Sequence, residues 1–188
     1  MIDRTFDRLY EQYHQSIYQF IFYMVRDQNA AEELVQDVYI KVLGSYENFD
    51  GKSNEKTWLF SIAKHLAIDY IRKENRQKRK WLGTIVSNDK IDVHDPAPLP
   101  EEIALAKDEV RAVYEALGTC SIAHRQVLIL RFIQSLSVKE TAESLGWSES
   151  KVKTTQHRAI KQMRKILNTE EREEGSFETQ SSRRRHRT

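Results

Sequence analysis

A chain of 188 residues has room for one ordinary domain or two small ones and is too short for a large enzyme with several insertions. Apolar residues make up 39% and charged residues 31%, with six glycines and three prolines, which describes a chain made mostly of amphipathic helix and excludes extended disorder as its dominant state. The 30 basic and 28 acidic residues nearly cancel, so partners must be read from where the charges lie.

In chain order, Phe6, Leu9, Tyr10, Tyr13, Ile17, Ile21 and Met24 recur at steps of three and four and predict one face of a long first helix. Asn29 with Glu32 is expected to form a capping box for a second helix, whose apolar face is Ala31, Leu34, Val35, Val38, Tyr39 and Val42 and which ends near Gly44. A loop from Tyr46 to Asn54, turning at Gly51, leads to a third helix with the stripe Trp58, Leu59, Ile62, Ala63, Leu66, Tyr70 and Ile71. Pro96, Pro98 and Pro100, preceded by Asp89, Asp92 and Asp95, mark residues 80–100 as an extended linker. Beyond it the pattern predicts a helix from Glu101 to Leu117, a second from Ser121 to about Gln134, a short one capped by Ser137 and Glu140 and stopped at Gly146, and a last one capped by Ser148 that runs to about Leu167. Residues 169–188, acidic and then arginine-rich, are expected to be disordered. The fold class is all-α: two small helical domains, 1–79 and 101–168, joined by an extended linker, with a helix-turn-helix in the second.

The helix-turn-helix rests on Ala142, the Leu145-Gly146 turn and Val152, a spacing that lets two helices cross closely. An ordinary helical hairpin shares that spacing, but the charge does not fit one. Between Glu149 and Lys165 stand six cations, Lys151, Lys153, Arg158, Lys161, Arg164 and Lys165, against the single acid Glu149. A helix that reads DNA needs cations for phosphates around side chains that reach base edges, here Lys153, Thr154, His157 and Arg158. A second basic surface comprises Ser61, Lys64, His65, Ile68, Arg72, Asn75 and Arg76, which are expected to face outward on the third helix, with Ile68, awkward on a polar face, expected to be half-buried, followed by Lys78, Arg79 and Lys80. Glu33, Gln36, Asp37 and Lys41 form a polar stripe on the second helix that is free for a partner.

The six histidines and Cys120 have no metal-ligand spacing, Cys120 has no companion for nucleophilic catalysis, and there is no phosphate-cradling glycine loop, so neither metal nor cofactor is expected and an enzyme is disfavoured. The single cysteine and the absence of a signal-like start point to a reducing, cytoplasmic setting. The most apolar stretch, Ile17 to Val25, falls well short of the roughly 20 residues a bilayer span needs.

From about Phe6 to Leu167 the chain resembles the small extracytoplasmic function (ECF) group of bacterial sigma-70-type RNA polymerase initiation factors. Glu33-Leu34-Val35-Gln36-Asp37 is similar to the family's polymerase-clamp motif. Thr57 to Ala63 followed by Asp69-Tyr70-Ile71-Arg72-Lys73 resembles its promoter-melting and minus-10 helix, and Ser137 to Arg164 its minus-35 helix-turn-helix. Within the group, Phe22 to Val25, Ser53 to Trp58 and Ser148 to Arg158 are similar to sigma-X-like members.

The resemblance implies a factor without catalysis of its own that joins core RNA polymerase and directs it to promoters. It places Glu33, Gln36 and Asp37 at the clamp helices of the largest subunit and the second domain at the beta-subunit flap. The loop Phe49 to Lys56, with Lys52, Ser53 and Asn54, would capture an unpaired minus-10 base, and Lys64, His65, Asp69, Arg72 and Arg76 would line the minus-10 helix. Lys151, Lys153, Thr154, His157, Arg158 and Lys161 would meet the minus-35 element. The acidic linker would thread near the polymerase active-site channel, and a membrane-bound anti-sigma protein would mask the polymerase-binding faces.

Two other classes compete with this reading. A two-domain repressor or activator would bind symmetric half-sites as a dimer without polymerase. A nucleic-acid enzyme would need clustered carboxylates for metal, which the sequence lacks.

Overall fold

Apolar spacing and capping chemistry place most of the helices where the sequence predicts them. The computed structural model describes the backbone of residues 2–49, 51, 54–81 and 101–184, and the side chains of 5–47, 49, 51, 54–81 and 103–168. Helix α1 (Ile2–Val25) buries Leu9, Ile17, Phe20, Ile21 and Met24 completely. The chain reverses through Arg26, whose φ of 61° is left-handed, and Asp27, whose carboxylate accepts from the Ala30 amide at 2.8 Å and caps α2 (Gln28–Ser45). The expected Asn29–Glu32 box therefore does not form. Asn29 already lies inside the first turn, and Glu32 accepts from Gln28 instead, because the left-handed step at Arg26 lets the helix begin two residues earlier.

A 3₁₀ turn, Tyr46–Asn48, leads toward α3 (Glu55–Trp81), and Gly51 takes a φ of 68° as its place in the turn requires. Helix α3 overruns the expected start of the linker by two residues; the rest of the linker lies outside the described residues.

The expected helix over Glu101–Leu117 is two: α4 (Glu101–Ala104) and α5 (Asp108–Gly118). Lys107 is extended, with φ −60° and ψ 148°, and Asp108 and Glu109 favour a fresh helix start through their charge at its N-terminus. Helix α6 (Ile122–Leu128), capped by Ser121, widens into a π turn over Ile129–Ile133 before α7 (Val138–Leu145) and α8 (Glu149–Arg184). The backbone of α8 continues past the expected boundary at residue 168 to Arg184.

The two units share one core. Leu9, Ile17, Phe20, Leu59 and Phe60 of the first join Ile103, Tyr114, Ile129, Leu130, Leu136 and Val152 of the second in a continuous buried cluster. Helix α7 lies on α3. At the joint, Arg125 is buried and donates to the carbonyls of Leu117 (3.0 Å), Gly118 (2.9 Å) and Cys120 (3.2 Å) in its own unit and of Met24 (2.8 Å) in the other.

Candidate nucleic-acid interface

The turn between α7 and α8 is built as its sequence requires. Ser137 and Glu140 form a complete capping box, with the Ser137 amide donating to the Glu140 carboxylate at 2.7 Å and the Glu140 amide to the Ser137 hydroxyl at 3.1 Å. Gly146 stands at φ 66°, ψ 37°. The Gly146 and Trp147 amides donate to the Glu143 and Ala142 carbonyls at 3.2 and 2.9 Å, the paired bonds of a Schellman ending. A Cβ on Gly146 would meet nothing, so the left-handed backbone alone demands glycine here. Ser148 then caps α8 by accepting from the Lys151 amide at 3.2 Å.

Val152 and Ala159 are fully buried and fix which face of α8 looks outward. Lys151, Lys153, Thr154, His157, Arg158 and Lys161 are all exposed on it, with Arg164 one turn further. The surface is not uniform. The Lys151 ammonium sits 4.1 Å from the centre of the Trp147 ring, and Lys153 lies 4.0 Å from Glu149, so both are partly held before any ligand arrives. Residues that sequence reasoning missed set the helix's rotation: Arg131 donates to the Gln156 side chain at 2.9 Å and to the Leu136 carbonyl, while Gln162 pairs with His124 at 2.7 Å. Gln156 and Gln162 are six apart on a cationic helix, and only their half-burial sets them apart from its exposed polar residues.

On α3, His65, Asp69, Arg72 and Arg76 are exposed as expected and Ile68 is half-buried. Lys64 corrects the expectation. It is 8% exposed, and its ammonium donates to the Leu145 carbonyl of α7 at 3.4 Å. Burial lowers its pKa from the ordinary lysine value. Ser61 is half-buried and donates to the Trp58 carbonyl. Helical periodicity separates the two faces of α3 but does not reveal that a second unit covers part of the polar one.

Ahead of α3, Lys52 and Ser53 lie outside the described residues. Asn54 is exposed, and its side chain accepts from the Lys56 amide at 3.0 Å, so it caps α3 as well as standing in the candidate base-capturing loop. The loop's two ends are fastened together: Glu55 accepts both Arg8 nitrogens at 2.8 and 2.6 Å and the Tyr46 hydroxyl at 2.8 Å, and Phe49 packs on Trp58 with ring centres 5.0 Å apart. The hydrogen bond from Arg8 is the main reason that the Glu55 carboxyl titrates below its ordinary range.

Glu33, Gln36 and Asp37 all face solvent on α2. Ile40 and Leu43, 65% and 48% exposed, continue the same side of the helix, an apolar extension that the sequence reading overlooked. Its signal was two large apolar residues out of register with the buried stripe. Among the described residues, no group of His, Cys, Asp and Glu could hold a metal ion, and no helix is long and apolar enough to cross a membrane.

Residues 9–77 match the family described as Sigma-70 region 2, and residues 116–165 match Sigma-70, region 4. The chain is 53% identical to the ECF RNA polymerase sigma factor SigX of Bacillus subtilis over 88% of its own length and 85% of that protein's. It is 35% identical to the RNA polymerase sigma factor YlaC of the same organism, over 90% of this chain and 95% of the other. Among solved structures, the sigma factor RpoE of Bartonella quintana, in a complex with the anti-sigma factor NepR, shares the fold with a TM-score of 0.70 at 22% identity, covering 88% of this chain and 98% of that one. The match of both regions, the capped helix-turn-helix and the cationic outward face of α8 agree: this chain belongs to the sigma-70 family of RNA polymerase sigma factors, in its ECF group.

Proposed function

We propose that this chain joins core RNA polymerase, carries it to promoters and assists duplex opening. The observation that carries the reading is the outward face of α8, where Lys153, Thr154, His157 and Arg158 stand opposite fully buried Val152 and Ala159 on a properly capped helix-turn-helix. That face reads the minus-35 element, with Lys151 and Lys161 at its margins. His65, Asp69, Arg72 and Arg76 on α3, together with Lys64 and the loop through Lys52, Ser53 and Asn54, serve the minus-10 element. Two separated DNA contacts on one tethered chain raise joint affinity without further contacts.

Polymerase binding falls to Glu33, Gln36 and Asp37 on the clamp helices, extended by exposed Ile40 and Leu43, and to the second unit on the beta-subunit flap. The chain itself performs no catalysis and needs no cofactor. It acts in the cytoplasm, and an anti-sigma protein, membrane-bound by family resemblance, restrains it.

The test adds purified chain to core polymerase and maps transcript starts on a promoter library. Starts that require both components and depend on a minus-35 and a minus-10 element are expected. Symmetric dimeric DNA binding without polymerase, and no specific starts with it, would overturn the reading in favour of a conventional repressor or activator.

A further inference from the structure

The loop assigned to an unpaired minus-10 base is flanked by a cation from a distant part of the chain. Arg8 stands on α1, 47 residues before Glu55, yet its guanidinium donates to both Glu55 carboxylate oxygens at 2.6 and 2.8 Å, at the residue that follows Asn54. The same carboxylate accepts the Tyr46 hydroxyl at 2.8 Å, and the Tyr46, Phe49 and Trp58 rings pack together with centres 5.0 to 5.9 Å apart. Arg8 is therefore fixed at the edge of a frame that joins both ends of the loop.

As a stabilising device this pair is weak, because both partners reach solvent: the Arg8 side chain is 48% exposed and that of Glu55 24%. As a binding device it is well made. Only two guanidinium N–H groups are committed to Glu55, and a third reaches Gln12 at 3.5 Å, which leaves further donors on a planar group that is already oriented. Turning a base out of its stack rotates the backbone around it, so the phosphates on either side must be held at the mouth of the site that takes the base. Phosphate contacts fix the register of a bound strand, and a guanidinium suits two phosphate oxygens at once.

We propose that Arg8 is a further DNA-binding residue of the minus-10 site: oriented by Glu55, its guanidinium holds a backbone phosphate of the nucleotide whose base the loop captures. The ligand is the backbone of the unpaired strand, and base identity is left to the loop. This rests on the reading that the loop through Asn54 captures an unpaired minus-10 base.

The test titrates holoenzyme, formed with the full chain, against fork DNA whose minus-10 strand is unpaired and carries a neutral methylphosphonate at one position at a time. With the parent chain, one such position beside the captured base should weaken binding by about fivefold. Arg8→Gln should weaken binding of the unmodified fork by a similar factor and lose its sensitivity to that position, while binding of a minus-35 duplex stays as in the parent. Arg8→Lys keeps the charge without the planar fork and should recover only part of the affinity. A merely structural Arg8 would lower affinity but leave the methylphosphonate profile unaltered. That result, or parental fork binding by Arg8→Gln, would overturn the proposal. A scan of the same strand with abasic nucleotides checks the loop separately, using the parent chain. If no abasic position weakens binding, the reading of the loop falls and the proposal with it; if one does and the phosphate profile of Arg8→Gln matches the parent's, the assignment of Arg8 falls alone.

Discussion

The Arg26 guanidinium lies 4.7 Å above the ring of Tyr114, reaching from the reversal between α1 and α2 to α5 of the other unit. Gly118 leaves the space it needs. A Cβ at that position would fall 1.8 Å from Arg26 Nη1 and 2.3 Å from Cζ. Burial raises the Tyr114 phenol's pKa, and Arg26 partly offsets the shift. Gly118→Ala should therefore displace the guanidinium and forfeit about 0.5–1 kcal/mol of cation–π attraction. Better helix propensity returns a similar amount, so the melting temperature should hardly move. Small-angle scattering should nonetheless show a larger radius, and an unchanged radius would mean that Arg26 does not help hold the units together.

Arg125 should behave differently, because its guanidinium satisfies four carbonyls at once in a buried site. Arg125→Met leaves those acceptors without their donor and should cost about 3–5 kcal/mol in urea unfolding. Arg125→Lys keeps the charge but loses the planar fork, and should recover only part of the loss.

On α2, replacing Gln36 and Asp37 with alanine should shift stability by no more than about 0.5 kcal/mol, since both are exposed. Core polymerase binding should fall sharply in a pull-down, and Ile40→Ser should lower it further. Unaltered binding by the double variant would move the polymerase face elsewhere.

The α8 face should separate reading from attraction. Alanine at Arg158 or Lys153 should cost about 1–3 kcal/mol and relax preference at particular minus-35 positions. Alanine at Lys161 or Arg164 should weaken all minus-35 sequences alike and lower the salt dependence by about one contact each. Competition titrations of holoenzyme on single-base variants at several salt concentrations measure this. Uniform losses for Arg158 and Lys153 would make them phosphate anchors and leave specificity to Thr154, His157 or DNA shape.

Acid should weaken the fold through two carboxyls. Glu140 is held below its ordinary value of 4.5 chiefly by the Ser137 side chain and amide, and Glu55 chiefly by Arg8. Folded values lower than unfolded ones mean that this stability is fully present above 4.5 and disappears as pH falls through the lowered values. Glu140→Gln keeps a capping-box partner without the titration, so its stability between pH 5 and 3 should fall less steeply than the parent's, by about the share of one carboxyl. Identical acid limbs in thermal melts across that range would rule Glu140 out as a contributor.

Much of this protein is decided within a few residues of sequence. The Ser137–Glu140 box, the left-handed Gly146, the Ser148 cap and the outward cations of α8 depend on neighbours three or four residues apart, so periodicity and capping chemistry reveal them. Where two local signals compete, context decides. Asp27 caps α2 in place of Asn29 because Arg26 accepts a left-handed backbone, and Lys107 interrupts what periodicity alone reads as one helix. Only the tertiary structure decides the fate of Lys64, whose polar position on α3 forecasts solvent exposure while its hydrogen-bond partner stands 81 residues away. Arg125, likewise, finds its fourth carbonyl 101 residues away, at Met24. Amphipathic spacing separates a helix's apolar side from its polar one, but contact between units depends on long-range shape and on backbone carbonyls that every residue type shares. No residue pattern could announce the closed joint in advance.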